Sequence, residues 1–225
     1  MTIGKLYIVA TPIGNLGDIT LRALDILKAV DVVLCEDTRV TLNLLNSFGI
    51  KTKTLSYHQH SDARKVNEIL ALLEMGKNLA LVTDAGTPGI SDPGNMLIKF
   101  ISNSSQPIDI IPIPGASAVT AALSISGFPT DKFLFLGFPP HKNKRQKYFK
   151  EVAASEHTVV FYESGHRILK CLDELRDVLQ PERQIVVCRE LTKKFETLYR
   201  GTIAEIINSM KNEKGEFVIV ISNSR

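Results

Sequence analysis

Nowhere in its 225 residues does this chain carry the ~18 to 20 consecutive apolar residues that a membrane-spanning helix needs. Its amino terminus, Met1-Thr2-Ile3-Gly4-Lys5, has neither the charged start nor the long apolar region of a secretory signal. A soluble, cytoplasmic protein without a membrane partner is expected. Cysteine is scarce: Cys35, Cys171 and Cys188 are odd in number and form no Cys-x-x-Cys pair, so neither a disulfide framework nor a zinc site is indicated. They read as small core hydrophobes. Excess charge is small as well, and a net +3 does not by itself announce a nucleic-acid partner. Two nucleotide fingerprints are also missing. The first glycine turn, Gly14-Asn15-Leu16-Gly17-Asp18, is not Gly-x-Gly-x-x-Gly, and no Gly-Lys-Ser/Thr follows a strand, which disfavours dinucleotide and P-loop binding. No repeat or low-complexity tract is present.

What the chain does have is 44% hydrophobic residues, ample for a buried core, in an alternating β/α pattern. Strands are expected at Lys5 to Ala10, Val32 to Cys35, Lys53 to Tyr57, Leu79 to Val82 and Ile108 to Ile111, buried on both faces of a mainly parallel sheet. A hinge is expected at Pro112 to Ala116, dividing an amino-terminal α/β domain, residues 1–113, from a carboxyl-terminal one, residues 114–225. In the second domain, strands fall at Phe133 to Phe138, Val159 to Tyr162, Ile185 to Cys188, Glu196 to Tyr199 and Phe217 to Ile221. The short link from Cys188 to Glu196 is compatible with a hairpin and hence a mixed sheet.

Three glycine- and proline-rich turns follow apolar strands: Thr11 to Asn15, Asp84 to Gly94, and Pro112 to Ala118. Glycine lets backbone approach a ligand or take positive φ, and proline stiffens the turn, so three such loops at the carboxyl ends of parallel strands predict one binding crevice. Without a phosphate fingerprint, a nucleoside lacking a phosphate chain suits them better, and S-adenosylmethionine is one.

Polar candidates surround these turns. Glu36, Asp37 and Arg39 follow the second strand. Either carboxylate could take a proton while Arg39 holds a phosphate or orients an acid; alternatively Asp37 caps a helix and pairs with Arg39 on the surface. Asp84 is read as a brace for its own turn. His58 and His60 share the spacing of a metal pair on one strand face but have no third ligand, so no metal is expected, and RNA contact competes with a plain polar loop. The basic excess lies in residues 114–225, with 17 Lys plus Arg against 13 Asp plus Glu, and is sharpest at Lys142, Lys144, Arg145, Lys147 and Lys150 beside Tyr148 and Phe149. It is either a solvated helix face or a phosphate track. His166 and Arg167 at a helix start, and Arg189, Glu190, Lys193 and Lys194, carry the same two readings, structural pairing or RNA contact.

Seven segments together carry a resemblance: Thr11 to Asp18, Cys35 to Arg39, Ser56 to His60, Asp84 to Gly94, Pro114 to Ala118, Phe161 to Arg167 and Cys188 to Lys193. In this order, over essentially the whole chain, they resemble the ribosomal RNA small subunit methyltransferase I family of the tetrapyrrole methylase-like superfamily, the class III S-adenosylmethionine-dependent methyltransferases. The resemblance implies two α/β domains with the cofactor in the cleft between them, 2′-O-methylation of a cytidine ribose in the decoding region of 16S rRNA, and a homodimer. Cofactor contacts then fall on Ile13, Ala85, Gly86, Thr87, Ile90, Ser117, Ala118, Glu163 and Leu191. The family usually has proline where this chain has Gly165, and its longer members continue into a small helical region where this chain ends at Ser224-Arg225. A methylase of a small tetrapyrrole and a noncatalytic RNA-binding or ribosome-assembly module are the competing functions.

Overall fold

A computed structural model describes residues 3–58 and 61–223 of the chain. Two compact units divide it, Met1–Ser117 and Ala118–Arg225.

In the first unit, strands β1 (Leu6–Val9), β2 (Val32–Cys35), β3 (Lys53–Ser56), β4 (Leu79–Leu81) and β5 (Ile110–Ile113) form one sheet in the order β3-β2-β4-β1-β5. Every pairing is parallel. Helices α1 (Leu21–Ala29), α2 (Thr38–Ser47), α3 (Ala63–Glu74) and α4 (Asn95–Ser102) connect the strands. Alternate residues of each strand feed different layers. Val33, Cys35, Ala80 and Val82 pack with Ala23, Leu27 and Leu45 of α1 and α2, whereas Leu34, Leu79 and Leu81 pack with Ile69, Leu73, Leu97 and Ile101 of α3 and α4. A sheet covered on both faces explains why its strands read as continuous apolar runs.

The last strand differs from the expected Ile108 to Ile111. Pro112 was expected in the hinge, yet it lies inside β5, paired with Ile8. β5 is an edge strand, where a missing N–H can face away from the ladder at little cost. Thr20 caps α1, its side chain accepting from the Ala23 N–H.

The second unit opens with α5 (Ala118–Ser126) and contains β6 (Phe133–Phe135), α6 (Arg145–Ala154), β7 (Thr158–Ser164), α7 (Ile168–Arg176), β8 (Ile185–Arg189), β9 (Thr197–Gly201), α8 (Ile203–Ser209) and β10 (Glu216–Ile221). Its sheet runs β6-β7-β10-β8-β9 and is mixed. β6 pairs with β7 in parallel, and the other pairings, including the β8–β9 hairpin, are antiparallel. One face packs Phe161, Val187 and Ile219 against Phe149, Leu172 and Ile206 of α6, α7 and α8. Helix α5 packs against β10 and β7. The three cysteines are buried free thiols. No helix among the described residues is long and apolar enough to cross a membrane.

Gly165, where proline was the family expectation, has a local cause. A Cβ there would collide with the Glu213 carbonyl oxygen and stand 2.9 Å from the Gly215 nitrogen, and the Gly165 N–H donates to the Gly215 oxygen at 2.9 Å. The Glu213 to Gly215 backbone occupies the space a side chain would need. Gly165→Ala is therefore expected to cost about 1–3 kcal/mol, because backbone rather than a side-chain tip must yield. Gly165→Pro adds loss of the hydrogen bond and should be worse. Denaturant midpoints of the two variants, ranked below the parent chain in that order, are the check.

Candidate active site

All three glycine- and proline-rich turns leave adjacent strands, β4, β1 and β5, at their carboxyl ends, and they bond to one another. Thr11 and Gly86 exchange backbone hydrogen bonds of 2.9 and 3.1 Å, and Thr11 Oγ1 donates to the Thr83 oxygen at 3.0 Å. Thr87 Oγ1 donates to the Ala116 oxygen at 3.2 Å, tying the second turn to the third. Gly86 has φ of 84°, which favours glycine, and a Cβ on it would stand 3.4 Å from Ile13 Cγ2 and 3.8 Å from the Ala116 oxygen. Gly115 comes close to β1: a Cβ there would meet that of Ala10 at 2.9 Å.

Ile13, Gly86, Thr87 and Ala116 are thus neighbours, as one crevice requires. Ala85 and Ile90 lie exposed on the same loop as Gly86, and Ser117 is half-buried. The first unit's share of the predicted cofactor residues is apolar side chain, hydroxyl and backbone, without a cation. Such a donor set suits a nucleoside that carries no phosphate. Those residues fit S-adenosylmethionine.

Beside them, Glu36, Asp37, Thr38, Arg39, Ser56, His58 and Asp84 line an open depression of about 550 Å³ at the ends of β2, β3 and β4. The structure separates the two adjacent acids. Asp37 caps α2, accepting from the Arg39 N–H at 2.8 Å, and its carboxylate takes the Arg39 guanidinium at 2.7 and 3.1 Å. These bonds to Arg39 lower Asp37 to about 2, which leaves it a weak base. Glu36 makes no such pair. Partial withdrawal from water, then repulsion from Asp84, raise it above the usual glutamate value. Asp84 is also raised, chiefly by desolvation, while its Oδ1 accepts from the Asp37 N–H at 3.3 Å and braces the β2 and β4 loops together. His58 stands on the loop after β3, which ends at Ser56, and His60, the other member of the expected pair, lies outside the described residues.

Sequence reading missed Asp92, two residues before Gly94 in the long β4 turn. Burial first, and then repulsion from Glu36 and Asp84, push it up to about 6. A carboxyl raised on folding binds a proton more tightly in the folded chain, so its contribution falls as pH rises through the interval from about 4 to about 6. Asp92→Asn should accordingly stabilise the protein by roughly 1 kcal/mol at pH 8, a shift discounted for the solvent near the site. The gain should shrink toward zero by pH 4, in melts across that range.

In the second unit the basic run divides. Lys142, Lys144 and Lys147 are exposed and make no ion pair among the described residues. Arg145 is different, with its side chain only 6% exposed. Its Nε donates to Glu174 at 2.7 Å, Nη1 to the Pro140 oxygen at 3.1 Å, and Nη2 lies 3.5 Å from Glu163. Its predicted place on an RNA-facing track is corrected: the guanidinium is an internal counter-ion. Glu163, carried over as a cofactor contact, is also enclosed, with a 0% exposed side chain holding Arg167 Nη2 at 2.7 Å and the Ser164 N–H at 2.8 Å. Leu191 is buried and Ala118 half-buried. The Arg189 loop follows the structural reading: Arg189 donates to the Lys214 and Phe195 oxygens, and Lys193 bridges Glu190 and Glu216 at 3.1 and 2.8 Å.

A family model for Tetrapyrrole (Corrin/Porphyrin) Methylases matches residues 5–207. Among curated relatives, Ribosomal RNA small subunit methyltransferase I of Synechocystis sp. is 48% identical over 98% of this chain and 80% of its own length. The protein of the same name from Thermotoga maritima is 42% identical over 97% of this chain and 98% of its own. Among solved structures, the cobalt precorrin-4 methyltransferase CbiF aligns over 97% of this chain and 94% of its own with a TM-score of 0.71 at 21% identity, and the methyltransferase CobJ over 98% and 95% with 0.73 at 16%. At those identities the two structures speak to the fold alone.

Proposed function

The chain belongs to the tetrapyrrole methylase family and is a methyltransferase that uses S-adenosylmethionine, and from that premise we propose that it methylates the 2′-hydroxyl of a cytidine ribose in the decoding region of 16S rRNA. The proposal further holds that the protein works in the cytoplasm as a homodimer. Relatives above 40% identity over nearly the full chain carry a ribosomal RNA methyltransferase name, which supports RNA as substrate.

The reading is supported by the placement, at the carboxyl ends of one sheet's strands, of three mutually bonded turns beside a depression lined by Glu36, Asp37 and Asp84. The bound donor would supply a methyl group on a sulfonium. Ile13, Ala85, Gly86, Thr87, Ile90 and Ser117 of the first unit, with Ala118, Glu163 and Leu191 of the second, are assigned to holding it. For the wholly enclosed Glu163 this role is structural support. Glu36 is assigned to receive the proton that the ribose hydroxyl gives up; the methyl carbon would pass from sulfur to that oxygen, its bond to sulfur breaking to leave neutral S-adenosylhomocysteine. Arg39, 88% exposed in its side chain, is placed to meet a neighbouring phosphate at the cost of its pair with Asp37. Lys142, Lys144 and Lys147 are assigned to the RNA backbone, as is His58 to a base or phosphate.

Transfer of labelled methyl from S-adenosylmethionine to small ribosomal subunits, followed by nuclease digestion, tests this. A 2′-O-methylcytidine product is expected. Label in a tetrapyrrole, or saturable RNA binding with no turnover, would overturn it.

A further inference from the structure

Phe138 is an exposed aromatic side chain on a rigidly held support. The residue is 51% exposed, yet its ring is centred 5.2 Å from that of Tyr162, which packs edge-on to Phe135 at 5.1 Å. The backbone beneath it is fastened on both sides. Before it, the Gly137 oxygen accepts from the Tyr162 N–H at 2.8 Å. After it come two prolines whose consecutive carbonyl oxygens are held by separate guanidiniums: Arg167 Nη1 reaches Pro139 at 3.4 Å and Arg145 Nη1 reaches Pro140 at 3.1 Å. Both arginines share the buried Glu163 carboxylate. Lys142 and Lys144, exposed and without an ion pair among the described residues, follow within six positions of the ring.

Leaving a phenylalanine half exposed forfeits burial, and two buried cations are expensive to install, so this arrangement costs stability that a plain surface loop would keep. An accessible aromatic face beside unpaired lysines is how proteins bind single-stranded nucleic acid, stacking a base while cations follow the phosphates. Phe195 is more exposed, at 70%, but the Lys194 ammonium sits 5.6 Å over its ring and no other ring among the described residues supports it.

We propose that Phe138 is a stacking platform for an unpaired base of the RNA substrate, with Lys142 and Lys144 binding the phosphates that flank that base. This rests on the reading of the substrate as RNA. The platform is open to any of the four bases, because stacking reads a π-face rather than a hydrogen-bonding edge. Specificity for cytidine is left to the reaction centre.

The chain contains no tryptophan, so Phe138→Trp installs a single indole at the proposed site. Its fluorescence should be quenched saturably by a short single-stranded RNA, and not by an abasic oligomer of equal length at matched occupancy. Phe138→Ala should weaken binding of the base-bearing RNA about 10-fold or more, with the slope of affinity against salt unchanged. Phe138→Tyr should restore it. Lys142→Glu with Lys144→Glu should reduce that slope instead. Affinity for S-adenosylmethionine and the melting temperature of Phe138→Ala should stay near the parent values. Loss of cofactor affinity without loss of RNA affinity overturns the platform, as does equal weakening toward the abasic oligomer. If the parent protein methylates RNA and Phe138→Ala binds it normally, the platform fails while the proposed function stands. If the parent neither binds nor methylates RNA, both fail.

Discussion

Glu36→Gln is expected to lower kcat for methyl transfer by roughly 100- to 10,000-fold, the usual worth of a positioned general base, with little change in S-adenosylmethionine affinity. Of the acids around the depression, Asp37 is held low, at about 2, by its two bonds to Arg39 and is already committed as the cap of α2. Asp84 is raised, but an oxygen accepts from the Asp37 N–H and so fixes the loop it comes from. Glu36 and Asp84 are both raised, exposed and without an ion pair among the described residues, but Asp84 is tied to the Asp37 N–H, so the role of base is assigned to Glu36. Its sign in pH is definite. A raised carboxyl stays protonated to higher pH, so activity should fall as pH drops through a value above the ordinary glutamate range, and that acid limb should vanish from the residual activity of Glu36→Gln. Asp37→Asn should instead leave the limb in place and change stability little, because asparagine caps a helix about as well as aspartate and the pair lost with Arg39 is exposed. Single-turnover rates across pH for the three variants Glu36→Gln, Asp37→Asn and Asp84→Asn discriminate; a limb that disappears only in Asp84→Asn moves the base to Asp84.

Why Glu36 and Asp37 were inseparable in sequence, yet differ so clearly in structure, illustrates what one-dimensional reading can reach. Apolar runs with glycine or proline at their ends are a local signal, and it located the ten strands found among the described residues to within a few positions. The three turns were also local, and parallel strands bring such turns to one edge whatever the strand order. Beyond that, information is carried by contacts distant in sequence. Pro112 belongs to β5 because Ile8 pairs with it across the sheet and because β5 is an edge. Asp92 is raised chiefly by burial, with added repulsion from Glu36 at the end of β2 and from Asp84 in its own turn. Arg145 looked like one more cation in a lysine-rich stretch, and only the fold shows that its counter-charges, Glu163 and Glu174, come from β7 and α7. A run of positive charge in sequence therefore says nothing about which member turns inward.

That inward turn sets up the largest stability effect. Glu163→Ala is expected to destabilise the second unit by ~3–5 kcal/mol, because it leaves two guanidiniums in a buried site without their shared carboxylate. The side chains of Arg145 and Arg167 are only 6% and 14% exposed, so neither can recover its hydration without moving the Pro139 and Pro140 carbonyls it holds. Glu163→Gln, which keeps an acceptor for Arg167 but removes the charge, should fall between the parent and the alanine variant. Arg145 retains Glu174 at 2.7 Å in either case, so the charge left most exposed to the loss is that of Arg167. Adding Arg167→Ala to Glu163→Ala should consequently cost less than the two single changes summed, giving a favourable coupling in a double-mutant cycle. Strict additivity, or a Glu163→Ala variant within ~1 kcal/mol of the parent in denaturant unfolding, would mean that water reaches the pair and that the carboxylate does not anchor the proline loop. The same cycle read in RNA affinity joins stability to recognition. If the network holds Phe138 and its lysines in place, Glu163→Gln should weaken RNA binding even at temperatures where the protein remains fully folded.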